Sequence, residues 1–130
     1  MNNYVFVLLA MIFCHIVDDY CLQGILANMK QKLWWKKNAP ERLYSHDYLM
    51  ALGMHSFSWA FMIMLPLAIH QKFEVGVFFV ILMFANSLIH FFVDDLKANK
   101  GRINLITDQS IHLAQILYTF VTWTLSSCNI

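Results

Sequence analysis

Three short stretches pair a histidine with an aspartate at one interval. They are His15-Ile16-Val17-Asp18-Asp19, His90-Phe91-Phe92-Val93-Asp94 and, in reverse order, Asp108-Gln109-Ser110-Ile111-His112. Residues four apart project from the same side of a helix, and each stretch is set in otherwise apolar sequence. His55 adds one imidazole to a further apolar segment. A charged side chain at the centre of a bilayer costs about 2.5–3.5 kcal/mol on insertion scales, so ionisable residues in such segments are functional candidates by default. Imidazole and carboxylate are natural ligands for zinc, iron or manganese. His15, Asp19, His55, His90, Asp94, Asp108 and His112 therefore read as a divalent-metal site, with zinc first and manganese or iron as alternatives. These seven donors exceed the four of a tetrahedral zinc site. That excess suits either a dinuclear centre with a bridging carboxylate or one ion with the remaining donors in support. Asp19 and Asp94 are the candidate general bases. Asp18 and Asp95 stay open as ligands: Asp18, three residues from His15, can share its face, whereas Asp95, five from His90, points elsewhere. The competing explanation is a polar core in which the same groups hydrogen-bond only to one another.

Such residues meet only if helices carry them. The chain has 130 residues, 59% hydrophobic and 13% charged, with a mean hydropathy of +0.54. A water-soluble domain this small could not hide so many apolar runs, so the composition selects an all-α polytopic membrane protein. The runs predict transmembrane helices over about 4–24, 48–69, 75–97 and 104–126, forming one four-helix, up-down bundle over residues 1–130. At about 1.5 Å per residue each can cross a ~30 Å hydrocarbon core. The first run lacks the basic start of a signal peptide and ends in Asp18-Asp19 rather than a cleavage site, so a permanent helix is expected. On it, His15, Asp19 and Gln23 make a polar stripe; on the third, Asn86, His90 and Asp94 do the same. Gln115 falls on nearly the same side as Asp108 and His112. Pro66 should kink the second helix or mark its last turn.

The basic residues set the orientation. Of nine Lys and Arg residues, seven lie in the two segments that follow the first and third runs, Lys97 ends the third run beside them, and only Lys72 lies elsewhere. The positive-inside rule then puts those segments in the cytoplasm and both termini outside, in the inner (plasma) membrane. Residues 25–47 mix Lys30, Lys32, Lys36, Lys37 and Arg42 with Trp34 and Trp35, the composition of an interfacial segment at headgroup level, with a new helical turn beginning at Pro40. This orientation brings the histidines and aspartates to similar depth in the cytoplasmic half, with His15 about one turn deeper. Lys97, at a helix end, is expected to snorkel, with neutralisation of a nearby carboxylate or contact with a phosphate as the alternative. His46 and His70 read as ordinary loop residues. Cys14, Cys21 and Cys128 have no metal or disulfide spacing and read as small apolar residues.

The stretches His15 to Gln23, His90 to Lys97 and Asp108 to His112, in that order across nearly the whole chain, resemble the pattern of domain-of-unknown-function family 3307, small integral membrane proteins of bacteria and phages. Asp95 departs mildly from it, standing where a variable, often aromatic residue is expected. The resemblance implies a four-helix membrane fold and supplies no activity. On the residues themselves, the first reading is a metal-dependent hydrolase open to the cytoplasmic side. The basic segment would favour an anionic lipid or phosphorylated substrate. The alternatives are a divalent-metal or proton transporter, and a non-enzymatic scaffold whose polar residues fix helix register. Paired histidines also suit haem, but haem ligation needs no companion aspartates. The lipid bilayer is the expected partner, a homo-oligomer would supply the polar path a transporter needs, and no nucleic acid is expected.

Overall fold

The computed structural model describes residues 3–127, so Cys128 lies outside the described residues. Among these residues are six α-helices and no strand: α1 (Asn3–Val17), α2 (Leu26–Met29), α3 (Lys32–Asn38), α4 (Asp47–His70), α5 (Val77–Ala98) and α6 (Leu105–Ser127). α1 runs directly into one turn of π-helix, Asp18–Leu22, and a 3-10 turn, Arg42–Tyr44, precedes α4. Three stretches are long and apolar enough to cross a membrane: Asn3–Leu22, Arg42–His70 and Val77–Ala98. A helix suits such sequence because it satisfies every backbone donor and acceptor internally. α6 matches them in length at 23 residues but falls short in hydropathy, interrupted by Asp108, Gln109, His112, Gln115 and several threonines.

Glycine closes two of these elements. Gly24, at φ +50°, ends the first helix just after its π-turn. Gly101, at φ +57°, reverses the chain after α5, and the Arg102 amide then caps the Leu96 carbonyl at 3.0 Å. Pro66 does not terminate α4, which continues to His70. His70 is thus helical rather than in a loop. The turn expected to begin at Pro40 begins at Arg42.

α1 packs on α4 and α6, and α5 packs on α4 and α6. Successive long helices alternate in direction, as their two ends show. At one end Tyr4 stacks on His70 with ring centres 5.4 Å apart, and Trp123 meets His70 at 5.3 Å. At the other end the C-terminal half of α1 and the end of α5 meet the beginnings of α4 and α6, bringing together His15, His55, His90 and His112. Most of the interior between these ends is apolar, built from Met11, Ile63, Met64, Leu67, Ile116 and Trp123. Phe6, Phe13, Phe61, Phe84, Phe92 and Tyr118 are exposed on the outside, so the long helices are greasy outward and partly polar inward. That is the reverse of a water-soluble bundle.

A polar layer ties α5 to α6 one turn from the histidines. The Asn86 amide donates to Thr119 Oγ1 at 2.8 Å, and the Gln115 amide donates to Asn86 Oδ1 at 3.1 Å and to its backbone carbonyl at 3.0 Å. Asn86→Ala should lower stability in mild detergent by about 1 kcal/mol, the usual scale of an interhelical hydrogen bond in a membrane protein. Unfolding by SDS titration, followed by circular dichroism, measures it.

Candidate metal centre

The π-turn shapes the first side of the cluster. Its i→i+5 pattern, with the Gln23 amide bonded to the Asp18 carbonyl at 3.2 Å, widens the helix by one residue per turn. Two consecutive aspartates consequently face inward. Asp18 is 1% exposed; its Oδ1 accepts the Ser58 hydroxyl at 2.6 Å and its Oδ2 lies 3.6 Å from His55 Nδ1. Asp19 points to the other side of the same imidazole, with Oδ1 3.5 Å from His55 Nε2 and Oδ2 accepting from the Gln109 amide at 3.3 Å. The expected stripe stops there. Gln23 turns back and donates to the Asp19 backbone carbonyl instead of facing the cluster.

Asp94, from the penultimate turn of α5, stands at the centre. Its Oδ2 lies 3.3 Å from His55 Nε2; its Oδ1 lies 3.6 Å from His112 Nε2 and 3.7 Å from His90 Nε2. His112 Nε2 is in turn 3.4 Å from Asp108 Oδ1. His90 and His55 approach through their Nε2 atoms at 3.2 Å. His90 is held between Trp59 and His112 by ring stacking, with centres 4.2 and 4.1 Å away. His55, His90, Asp94, Asp108 and His112 are all buried.

His15 sits beside this group in a different way. Its Nδ1 accepts the Trp59 indole N–H at 2.8 Å, and its Nε2 pairs with Gln109 Oε1 at 3.1 Å. Nδ1 also lies 3.5 Å from Asp19 Oδ2, so both ring nitrogens already have partners. His15 instead orders Gln109, which binds Asp19 and, at 3.1 Å, Asp108 Oδ2. Asp95 points away, paired with Lys100 at 2.9 Å and Asn99 at 2.9 Å.

Two lysines complete the site. Lys30 Nζ, carried in by the segment between α2 and α3, meets Asp94 Oδ2 at 2.6 Å. Lys97 Nζ meets Asp108 Oδ2 at 2.5 Å rather than snorkelling outward. Nothing in the periodicity around Lys30 marks it as an inward residue, because its position depends on a long-range contact. Ser58, Trp59 and Gln109 went unassigned for the same reason, although Gln109 lies inside the third motif.

The unpaired atoms indicate what this arrangement can do. Asp18 Oδ2, Asp19 Oδ1, Asp108 Oδ1 and His112 Nε2 are buried without a hydrogen-bond partner among the described residues. Buried polar atoms left in that state are uncommon and costly. Two sets of donors, Asp19–His55–His90 and His90–Asp94–His112, each bring their ligand atoms within 4.8 Å of one another and could hold a metal ion. Their spacing fits an ion better than hydrogen bonds. Ligands about 2.1 Å from a tetrahedral zinc lie about 3.4 Å from each other, close to the 3.3 to 3.7 Å separations around Asp94.

These features define a helical protein with membrane-length apolar helices and a buried histidine–aspartate group able to hold a metal. The chain belongs to the family of proteins of unknown function DUF3307, which matches residues 7–130 and so takes in every residue of the cluster. Comparison with curated proteins and with solved structures gives no match.

Asp18 and Asp95 separate cleanly in this geometry. Asp18→Asn should weaken zinc binding by less than loss of a ligand does, because it removes a buried negative charge beside His55 and no donor to the ion. Asp95→Asn should leave binding unchanged. Titration of purified protein against a competing zinc chelator reads both.

Proposed function

We propose that this protein is an integral membrane metalloprotein whose centre catalyses metal-dependent hydrolysis of a membrane-borne, phosphorylated or otherwise anionic substrate. The observation that carries the metal reading is the inward set of unpaired donors at tetrahedral-edge distances around Asp94. In this reading all four long helices span the inner membrane, with both termini outside and the cluster near the cytoplasmic face. α6 is the most polar of the four, but its polar residues at Asp108, His112 and Gln115 face the interior, so lipid need not meet them. The segment carrying α2 and α3 lies at the headgroups, where Lys32, Lys36 and Lys37 would draw anionic lipid.

His90, Asp94 and His112 would hold the ion, with Asp108 beside His112, and zinc suits this N/O set best, manganese or iron next. A bound divalent ion lowers the pKa of water towards neutrality and stabilises developing negative charge. Asp19 is the base. Its Oδ1 faces the cluster unpaired, while Gln109 fixes the carboxylate through Oδ2. Asp94, central among the imidazoles, serves better as ligand than as base. Ion transport, the other reading of the same residues, needs polar groups in the opposite half of the bundle, and there Ile63, Met64, Leu67 and Trp123 pack together.

Purified protein in lipid vesicles should hydrolyse a phosphomonoester such as phosphatidic acid or p-nitrophenyl phosphate, lose the activity to a chelator and regain it with zinc or manganese. Asp94→Asn should lose metal and activity together. Asp19→Asn should retain the metal and lower kcat by about 10²- to 10⁴-fold, the range for removing a general base. Hydrolysis that persists in Asp94→Asn, or metal-loaded protein inactive on every phosphoester and lipid ester tried, would contradict the proposal.

A further inference from the structure

We infer that the Lys30 ammonium occupies the place of a second metal ion, so that the centre binds one divalent ion rather than two. The inference rests on the metal reading above and concerns the stoichiometry of that same site.

The donors divide around Asp94. Its Oδ1 faces His90, His112 and, through His112, Asp108. Its Oδ2 faces His55, with Asp19 beyond. Two ions bridged by Asp94 would use one oxygen each, and Oδ2 is already bonded to Lys30 Nζ at 2.6 Å. His90 belongs to both donor sets and serves one ion at a time through Nε2. An ion on the Oδ1 side therefore collects His90, Asp94 and His112, with Asp108 beside His112. The opposite side retains only Asp19 and His55, fewer than the three protein ligands of an open zinc site.

Charge gives the same stoichiometry independently. Asp18, Asp19, Asp94 and Asp108 point inward, and Lys30 and Lys97 are the two ammonium groups bonded among them. With neutral imidazoles, four negative and two positive charges leave a surplus equal to one divalent ion. A second ion would leave the interior two charges positive, an excess that loss of Lys30 halves.

Lys30 is also firmly delivered. Asn99, at the end of α5, donates to the Lys30 carbonyl at 3.1 Å and accepts the Lys32 amide at 2.7 Å, clamping the backbone on both sides of Gln31. The Lys30 side chain is 12% exposed. A chain-delivered cation on a bridging carboxylate oxygen is a fixed counter-ion, in contrast to the exposed Lys36 and Lys37 on α3.

The test is metal stoichiometry by elemental analysis after saturation with zinc and gel filtration, on wild type, Lys30→Met and Lys30→Arg. The expected ratios are one in wild type, two in Lys30→Met, where Asp94 Oδ2 is released to join Asp19 and His55, and one in Lys30→Arg. Two equivalents in wild type, or one in a folded Lys30→Met, would overturn the inference while leaving the metal reading intact. No bound metal in wild type would overturn both. A second readout needs no variant: acylation of amines in zinc-loaded wild type, mapped by mass spectrometry, should modify Lys36 and Lys37 and spare Lys30. Modification of Lys30 to the same extent as Lys36 would mean that the ion expels it, which contradicts the inference.

Discussion

Each aspartate that points into this bundle has given up water, and in an apolar interior that loss costs several kcal/mol per ion unless opposite charge or hydrogen bonds replace it. The arrangement of the half that holds them follows from that constraint. Asp18 needs the Ser58 hydroxyl, Asp19 needs Gln109, Asp94 needs Lys30, and Asp108 needs Lys97. Lys30 comes from outside the four long helices, so the segment containing α2 and α3 is bound to the bundle by the charge it delivers as well as by Asn99. Helix order is subject to the same demand. Only alternation in direction puts the end of α1 and the end of α5 beside the beginnings of α4 and α6, where these charges lie.

The two halves of the bundle are chemically unlike. One contains the carboxylates, imidazoles and lysines, with the Asn86–Gln115–Thr119 layer beside them. The other is packed with Ile63, Met64, Leu67 and Trp123 and ends in the Tyr4–His70–Trp123 aromatic group. An ion pathway would spread polar residues through both halves, and here they are concentrated in one. The concentration also raises the strength of each electrostatic interaction inside the cluster, because little water is present to screen it. Trp59 joins the halves, since its ring stacks on His90 and its indole N–H fixes His15. It is a core residue that sets the geometry of the site.

Much of this was legible in the residues alone, and the reason is periodicity. Apolar runs marked the long helices to within two residues, apart from the first helix's C-terminal end, and the four-residue spacing of His90 with Asp94 and Asp108 with His112 marked two faces that do meet. Regular spacing also set the limit. The first helix departs from it at the π-turn, which is why Asp18 joins Asp19 in the interior and Gln23 drops out of the stripe. His15 was grouped with the ligands by its interval to Asp19, and nothing in that interval reveals that Trp59 and Gln109 occupy both its nitrogens. Lys30 was illegible for a simpler reason. It reaches Asp94 across 64 positions of sequence, and only the folded chain brings them together.

Zinc K-edge X-ray absorption on protein purified in mild detergent and saturated with zinc tests the centre most directly. The geometry predicts a first shell of nitrogen and oxygen alone at about 2.0–2.2 Å, with the outer-shell scattering of two imidazoles from His90 and His112, reduced to one in His112→Ala. A sulfur shell at about 2.3 Å would place the metal on cysteine. That result, or a spectrum of hydrated zinc with no imidazole, would contradict a metal centre built on Asp94.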